Sequence, residues 1–277
     1  MAIKFEGVTY NFNKKKLLDN VNLEIEDNKI TGIIGKTGSG KTFLASLLSA
    51  INVPISGTIT VKDFIFGKNS NIKKLNEYRK IIGYSSQNPR EQFLCDTVEN
   101  ELILTLKNYN YSLEQIEYKK KELCELFNFN QTFLKKSLDS LSSSEERMVS
   151  IAASIAHNPD LIILDEPTNG LDAASKKLII NIIKKLKQEY LKTIIVISHD
   201  VDLLIKFVDD VVVMDSGKVV MYGKKMDVFS NVELFKKYNI ELPTIIKFSD
   251  MVKEKKGKKI GYYDDIKDLM KAVYRNV

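Results

Sequence analysis

Ile30-Thr31-Gly32-Ile33-Ile34 runs into Gly35-Lys36-Thr37-Gly38-Ser39-Gly40-Lys41-Thr42, and a helical pattern over residues 43–50 follows at once. The octet satisfies G-x-x-x-x-G-K-[ST] between a strand and a helix, the context in which that spacing denotes a phosphate-binding loop. Its glycines let successive backbone N–H groups turn toward one anion, and the helix start after Gly40 adds a positive dipole end. Lys41 reaches outer phosphates and the Thr42 hydroxyl is placed to hold Mg2+. Gly35, Lys36, Thr37, Gly38, Ser39, Gly40, Lys41 and Thr42 are therefore all candidate nucleotide-binding positions.

Outward from this loop, β-type runs are predicted at 3–8, 22–25, 58–61 and 80–85. From about 88 to 158 the texture turns helical, with Val98, Leu102, Leu106, Ile116, Leu123, Leu126 and Phe127 at three- and four-residue spacing, as in an inserted helical subdomain. The β/α alternation resumes with a strand at 161–164, a helix from 172 to about 190 and a strand at 193–198, which argues for a largely parallel sheet flanked by helices. Runs at 211–214 and 218–222 flank a turn at Asp215-Ser216-Gly217 and close a main domain of residues 1–239. Residues 240–277 read as a small appendage. There Pro243 breaks the chain, 253–259 form a lysine-rich loop, and 264–273 form a short amphipathic helix.

The chain has 277 residues, 44% apolar and 28% charged, the balance of an ordinary globular protein. No stretch approaches the roughly 18 uninterrupted apolar residues of a spanning helix, and the N-terminus shows no basic-then-apolar leader. The expected location is the cytoplasm, or a membrane surface reached through partners. The net charge of +6 comes from scattered lysines, a solvated surface and not a nucleic-acid groove. Cys95 and Cys124 lack CxxC spacing and His157 and His199 are the two histidines, so any metal must be oxygen-bound.

Leu161-Ile162-Ile163-Leu164 ends in Asp165-Glu166. A strand end beside a phosphate loop is where Mg2+ needs an oxygen ligand, which Asp165 can supply. Glu166, one residue on, can polarise an attacking water. Gln87 closes another strand, where its amide can bond both metal and water, and His199 closes a fourth. The candidate metal set is thus Thr42, Gln87 and Asp165, and the candidate catalytic set Glu166, His199 and Gln87.

In order and spacing these motifs resemble the nucleotide-binding subunits of ABC transporters across roughly residues 3–235. The resemblance implies a P-loop NTPase core of the α/β class, with an N-terminal antiparallel β subdomain, the helical insertion and ATP with Mg2+ as ligands. It implies Walker A at 35–42, a Q-loop at Gln87, Walker B at 162–165 with catalytic Glu166, a D-loop at Asn169-Gly170-Leu171-Asp172 and an H-loop at His199. It also implies an N-terminal aromatic stacking on adenine, Phe12 in preference to Tyr10. Gln87-Asn88-Pro89-Arg90-Glu91-Gln92-Phe93 followed by Thr97-Val98-Glu99 is similar to the ATPases of energy-coupling factor (ECF) transporters, importers of vitamins and metal ions. The appendage resembles the domain through which those ATPases pair. Implied partners are a second ABC ATPase, a membrane coupling subunit, with Phe93 and Leu94 as candidate contacts, and a substrate-capturing membrane subunit. The implied location is peripheral, at the cytoplasmic face of the cell membrane.

One motif departs from the family. Its signature normally reads Leu-Ser-Gly-Gly-Gln, and here it is Leu141-Ser142-Ser143-Ser144-Glu145, followed by Glu146. In the family this segment, here Ser142 and Ser144 with the D-loop Asp172, serves the ATP on the partner's P-loop. Cβ atoms at both glycine positions limit backbone approach, and two carboxylates oppose the anion. Ser142-x-x-Glu145 is equally a capping box opening an amphipathic helix. The expectation is an asymmetric heterodimer in which this chain receives a better signature than it gives. A soluble ABC-type ATPase acting on nucleic acid or ribosomes is the alternative. Against it, only 100 positions separate Lys41 from Leu141, which leaves no room for a long coiled coil, and there is one ATPase domain. A non-catalytic regulatory subunit is opposed by the intact Lys41, Asp165, Glu166 and His199.

Overall fold

A computed structural model describes residues 3–13, 15–256 and 261–276. The chain begins with β1 (Ile3–Phe12), β2 (Lys15–Ile25), β3 (Ile30–Gly35), α1 (Lys41–Leu48), β4 (Ser56–Val61), β5 (Phe64–Gly67), α2 (Ile72–Arg79) and β6 (Ile82–Ser85). Helices α3 (Val98–Asn108), α4 (Leu113–Phe127), α5 (Gln131–Leu134) and α6 (Ser143–Ile155) come next, then β7 (Leu161–Asp165), α7 (Ala173–Gln188), β8 (Thr193–Ile197), α8 (Val201–Leu204), β9 (Asp210–Asp215) and β10 (Lys218–Lys224). Helices α9 (Lys225–Phe229), α10 (Val232–Tyr238), α11 (Thr244–Lys256) and α12 (Ile266–Asn276) complete it.

Two sheets result. An antiparallel sheet has the order β2-β1-β4-β5, and a second sheet runs β10-β9-β3-β8-β7-β6, parallel except for the β9–β10 hairpin. Strands β3, β7 and β8 are apolar on both faces because both are covered. Ile34, Ile162, Leu164, Ile194 and Val196 pack toward the helices that follow β6 and β7. Their alternates Ile33, Leu161, Ile163, Ile195 and Ile197 pack toward α1 and the antiparallel sheet. The pairs Ile33–Ile197 and Asp165–Ile197 bring the carboxyl ends of three strands level, and Ser85 of β6 pairs with Leu164. A crevice at such ends is where open α/β sheets bind ligands.

Several expectations are refined. β1 and β2 extend well beyond 3–8 and 22–25, because bulges near Gly7 and Asn20, both at positive φ, interrupt the alternation that marks a strand. The run 80–85 shortens to β6, since Lys80 still caps α2. The predicted lysine-rich loop is corrected in part: residues 253–256 belong to α11, lysine and glutamate being good helix formers, and 257–259 lie outside the described residues. Ser216 and Gly217 both have positive φ, as a type I′ hairpin turn requires. Gly83 lets α6 sit directly on β6, for a Cβ there would lie 2.4 Å from the Ser154 carbonyl. That contact seats the helix carrying Ser142–Ser144 against the strand leading to Gln87.

Candidate functional site

Gly35, at φ 150°, turns the chain out of β3, and a Cβ at this position would meet the Met214 carbonyl at 2.2 Å. The loop then closes on itself. Lys41 Nζ donates to the carbonyls of Gly35 at 2.8 Å and Lys36 at 2.9 Å, and Ser39 N donates to Lys36 O. Burial lowers the Lys41 pKa, while the fields of Glu166 and Asp165 just beyond the loop oppose the shift. Such a cation in a partly desolvated cleft favours a polyanion.

Asp165 ends β7, 1% exposed, and Glu166 follows at φ 51°, a left-handed conformation that costs a non-glycine residue about 1–2 kcal/mol. The turn aims the Glu166 carboxylate at the end of β8. There Oε1 accepts from His199 N at 3.0 Å and from His199 Nδ1 at 2.8 Å, and Oε2 accepts from Ser198 Oγ at 3.2 Å. Burial raises the Asp165 carboxyl above its ordinary value, partly offset by a Thr42 side-chain hydrogen bond. A cleft of about 490 Å³ is lined by Gly35–Gly38, Lys41, Thr42, Gln87, Asp165, Glu166, Ser198 and His199. Six of the eight loop candidates, the metal candidate Asp165, the catalytic candidate Glu166, Gln87 and His199 therefore share one space, whereas Ser39 and Gly40 do not line it.

The other candidates lie elsewhere on this chain. Ser142 caps α6 and Asp172 caps α7, each bonded to its own helix start, and neither they nor Ser144 line the cleft. The capping box is complete, and Glu145 further binds Lys136 Nζ at 2.7 Å, which holds its carboxyl below the usual range. Glu146 is buried and paired with Arg90. The two carboxylates expected to repel an anion are thus partnered, and the Cβ atoms of Ser143 and Ser144 remain the chief departure. Phe12 is 55% exposed, whereas Tyr10 is buried against Phe43. Leu94 is 79% exposed, while Phe93 is partly buried on the core.

Residues 18–169 match the family model described as ABC transporter. The "Energy-coupling factor transporter ATP-binding protein EcfA2" of Staphylococcus aureus strain MRSA252 is 34% identical over 251 residues, 89% of this chain and 88% of that protein. Its counterpart in strain USA300 is 32% identical over 274 residues, 97% and 94% of the two chains. The chain belongs to the ABC transporter ATP-binding family, among its energy-coupling factor members. Among solved structures, cbiO1 of Clostridium perfringens, part of the transporter complex cbiONQ, is similar at TM-score 0.74 and 27% identity, over 90% of this chain and 98% of that one. The dimeric cassette MJ0796 in a post-hydrolysis state with ADP and Pi aligns at TM-score 0.72 and 26% identity, over 80% and 98%.

As an ABC ATPase the chain binds and hydrolyses ATP. The residues also fit a magnesium ion: Asp165 Oδ2 is buried without a hydrogen-bond partner among the described residues, on the carboxylate that Thr42 bonds. One carboxylate, one hydroxyl and the Gln87 amide form a hard, oxygen-only set that leaves room for nucleotide oxygens. Bound there, the ion would neutralise charge on the phosphates. Ser198 was not singled out from the sequence, although its place just before His199 was the available signal. Nor were Asn239, Ile240 and Glu241, which line the same cleft from the stretch that follows α10. Their distance in sequence from every motif left no signal to read.

Proposed function

We propose that this ATPase drives an ECF-type importer of a vitamin or metal ion, as one half of an asymmetric ATPase pair at the cytoplasmic face of the membrane. In this reading Lys41 and Phe12 hold the nucleotide, while Thr42, Asp165 and Gln87 hold Mg2+. Glu166 takes the proton of the attacking water, and His199 orients Glu166. A different ATPase chain contributes an intact signature to this site, and Ser142–Ser144 complete a slower site on that chain. The observation carrying the reading is that Lys41, Asp165, Glu166 and His199 share one cleft whereas the altered signature lies outside it. Among the described residues no helix is long and apolar enough to cross a membrane, and membrane coupling subunits supply that part. Residues 240–277 pair the two ATPases, and exposed Leu94 contacts the coupling subunit.

The test is co-purification followed by reconstitution. The chain is expected to bring down membrane proteins and a second ATPase, and recovery with ribosomes or nucleic acid instead would replace this reading. In the reconstituted pair, Glu166→Gln is expected to remove most turnover, and near-normal ATPase activity in that variant would sink the asymmetry.

A further inference from the structure

Arg147, near the start of α6, is only 6% exposed. Its Nη1 donates to the Ser86 carbonyl at 2.7 Å and its Nη2 to the Gln87 carbonyl at 2.6 Å, while Nε is buried without a partner among the described residues. Keeping a cation out of water on two neutral carbonyls is costly. Burial pulls its pKa down, and the fields of Asp165, Glu166 and Glu146 resist that shift. A residue that only filled space here would be apolar.

The neighbouring contacts grip the same segment from both sides. Ser150, three residues on and on the same helix face, bonds Ser85 Oγ at 2.8 Å and donates to Gln92 Oε1 at 3.2 Å. That same Gln92 oxygen accepts from Ser86 N at 2.8 Å, and Glu146 pairs with Arg90. Gln87 lies between these anchors and reaches into the nucleotide cleft.

We propose that Arg147 is the positioning residue for Gln87: its two-point clamp on the Ser86 and Gln87 carbonyls sets how the Gln87 amide enters the cleft and makes the Q-loop move with the start of α6. The proposal rests on the role for Gln87 given above. It links the chain's two half-sites through one guanidinium, because Ser142–Ser144 open the helix that carries Arg147. A displacement of Gln87 by nucleotide in this chain's own cleft is thereby passed to the segment offered to the partner. Lysine would keep the charge but lacks the planar fork that spans two carbonyls.

The test uses the full-length chain assembled with its partner subunits, carrying Arg147→Met, Arg147→Lys, Gln87→Ala, or either Arg147 change combined with Gln87→Ala. Arg147→Met and Gln87→Ala are each expected to lower kcat about tenfold with the ATP KM within about twofold, and the double variant to fall no more than about twofold below the weaker single one. Arg147→Lys should recover little. In the nucleotide-free assembly, amide hydrogen exchange over residues 84–92 should quicken in both Arg147 variants and stay unchanged in β3 and β7. Should Arg147→Met not fold, Arg147→Lys carries the same cycle. Independent losses multiplying to about 100-fold, unchanged exchange at 84–92, or wild-type turnover in Arg147→Lys would each overturn the clamp. Wild-type turnover in Gln87→Ala would instead remove the underlying role of Gln87.

Discussion

Glu166 Oε1 accepts two hydrogen bonds from the single residue His199, one from its backbone N–H and one from its ring Nδ1. An ionised carboxylate only accepts, so Nδ1 carries the proton. The ring thus fixes the direction of the Glu166 carboxylate, which on the proposed reading would face the attacking water. Removing it leaves Glu166 held by the His199 backbone and Ser198. His199→Ala is expected to lower ATP turnover about 100-fold, within the range for a misplaced general base, with ATP binding retained. Turnover measured beside nucleotide affinity decides, and an unchanged rate would free His199 of this role.

The contrast between Phe12 and Tyr10 gives a second expectation. Base stacking on an aromatic ring is worth about 1–3 kcal/mol, so exposed Phe12→Ala should raise the nucleotide KM roughly tenfold without moving kcat or Tm. Tyr10→Ala removes a buried ring packed on Phe43 and should instead destabilise the fold by roughly 3 kcal/mol. Thermal melts and KM values of the pair should move in opposite columns, and a KM unaffected by Phe12→Ala would place adenine elsewhere.

Much of this was legible because strong local chemistry and global packing agree. Residues 30–42 state strand, turn and helix within one short stretch, and β7 and β8 are continuous apolar runs whose two faces are both buried. The capping box at Ser142 and Glu145 was read from spacing alone. What escaped was weakly patterned. β5 has four residues, and α2 buries just Leu75 and Tyr78 among eight, too few to show a period. The cleft wall at Asn239–Glu241 depends on how the chain returns after α10, a tertiary fact with no local motif. The appendage is tied in likewise, Leu242 and Ile246 being buried in the main core and Thr244 bonding Asp202.

Asp165 should trade stability for function. Its carboxyl is raised by burial, so the ionised form is disfavoured in the folded chain. That penalty is absent below the unfolded-state value of about 3.9 and complete above the folded one. Asp165→Asn removes it and, without nucleotide, should raise Tm by about 2–4 °C at neutral pH, a gain that fades toward pH 3. Chelating Mg2+ should weaken ATP binding by the wild type and leave the Asn variant unchanged. A lower Tm in the variant would contradict the sign.

His157 supplies a pH dependence remote from the site. It is buried, its Nε2 donates to the Ile82 carbonyl at 3.0 Å, and its pKa is pushed down to about 4 by burial. Nδ1 is buried with no partner among the described residues, so a second proton there would find no acceptor among them. The unfolded chain binds that proton near pH 6.5 and the folded chain does not. Stability is thus full above that value and should fall by about 3 kcal/mol as pH drops toward 4. His157→Gln should flatten this part of the profile in denaturant titrations, and an unaltered slope would assign it to other groups.

The altered signature can be tested from the gain side. Ser143 and Ser144 are the first two residues of α6, and their Cβ atoms stand where the family has bare backbone. On the proposed asymmetric pair, residual turnover in a pair already carrying Glu166→Gln would come from the site this chain completes on its partner. Adding Ser143→Gly and Ser144→Gly should raise that residual rate several-fold, roughly 1 kcal/mol of transition-state stabilisation, while the added backbone entropy lowers Tm by a few degrees. Faster turnover with lower stability is an outcome that improved folding cannot produce. If the rate stays flat, the limit on that site lies outside these two positions.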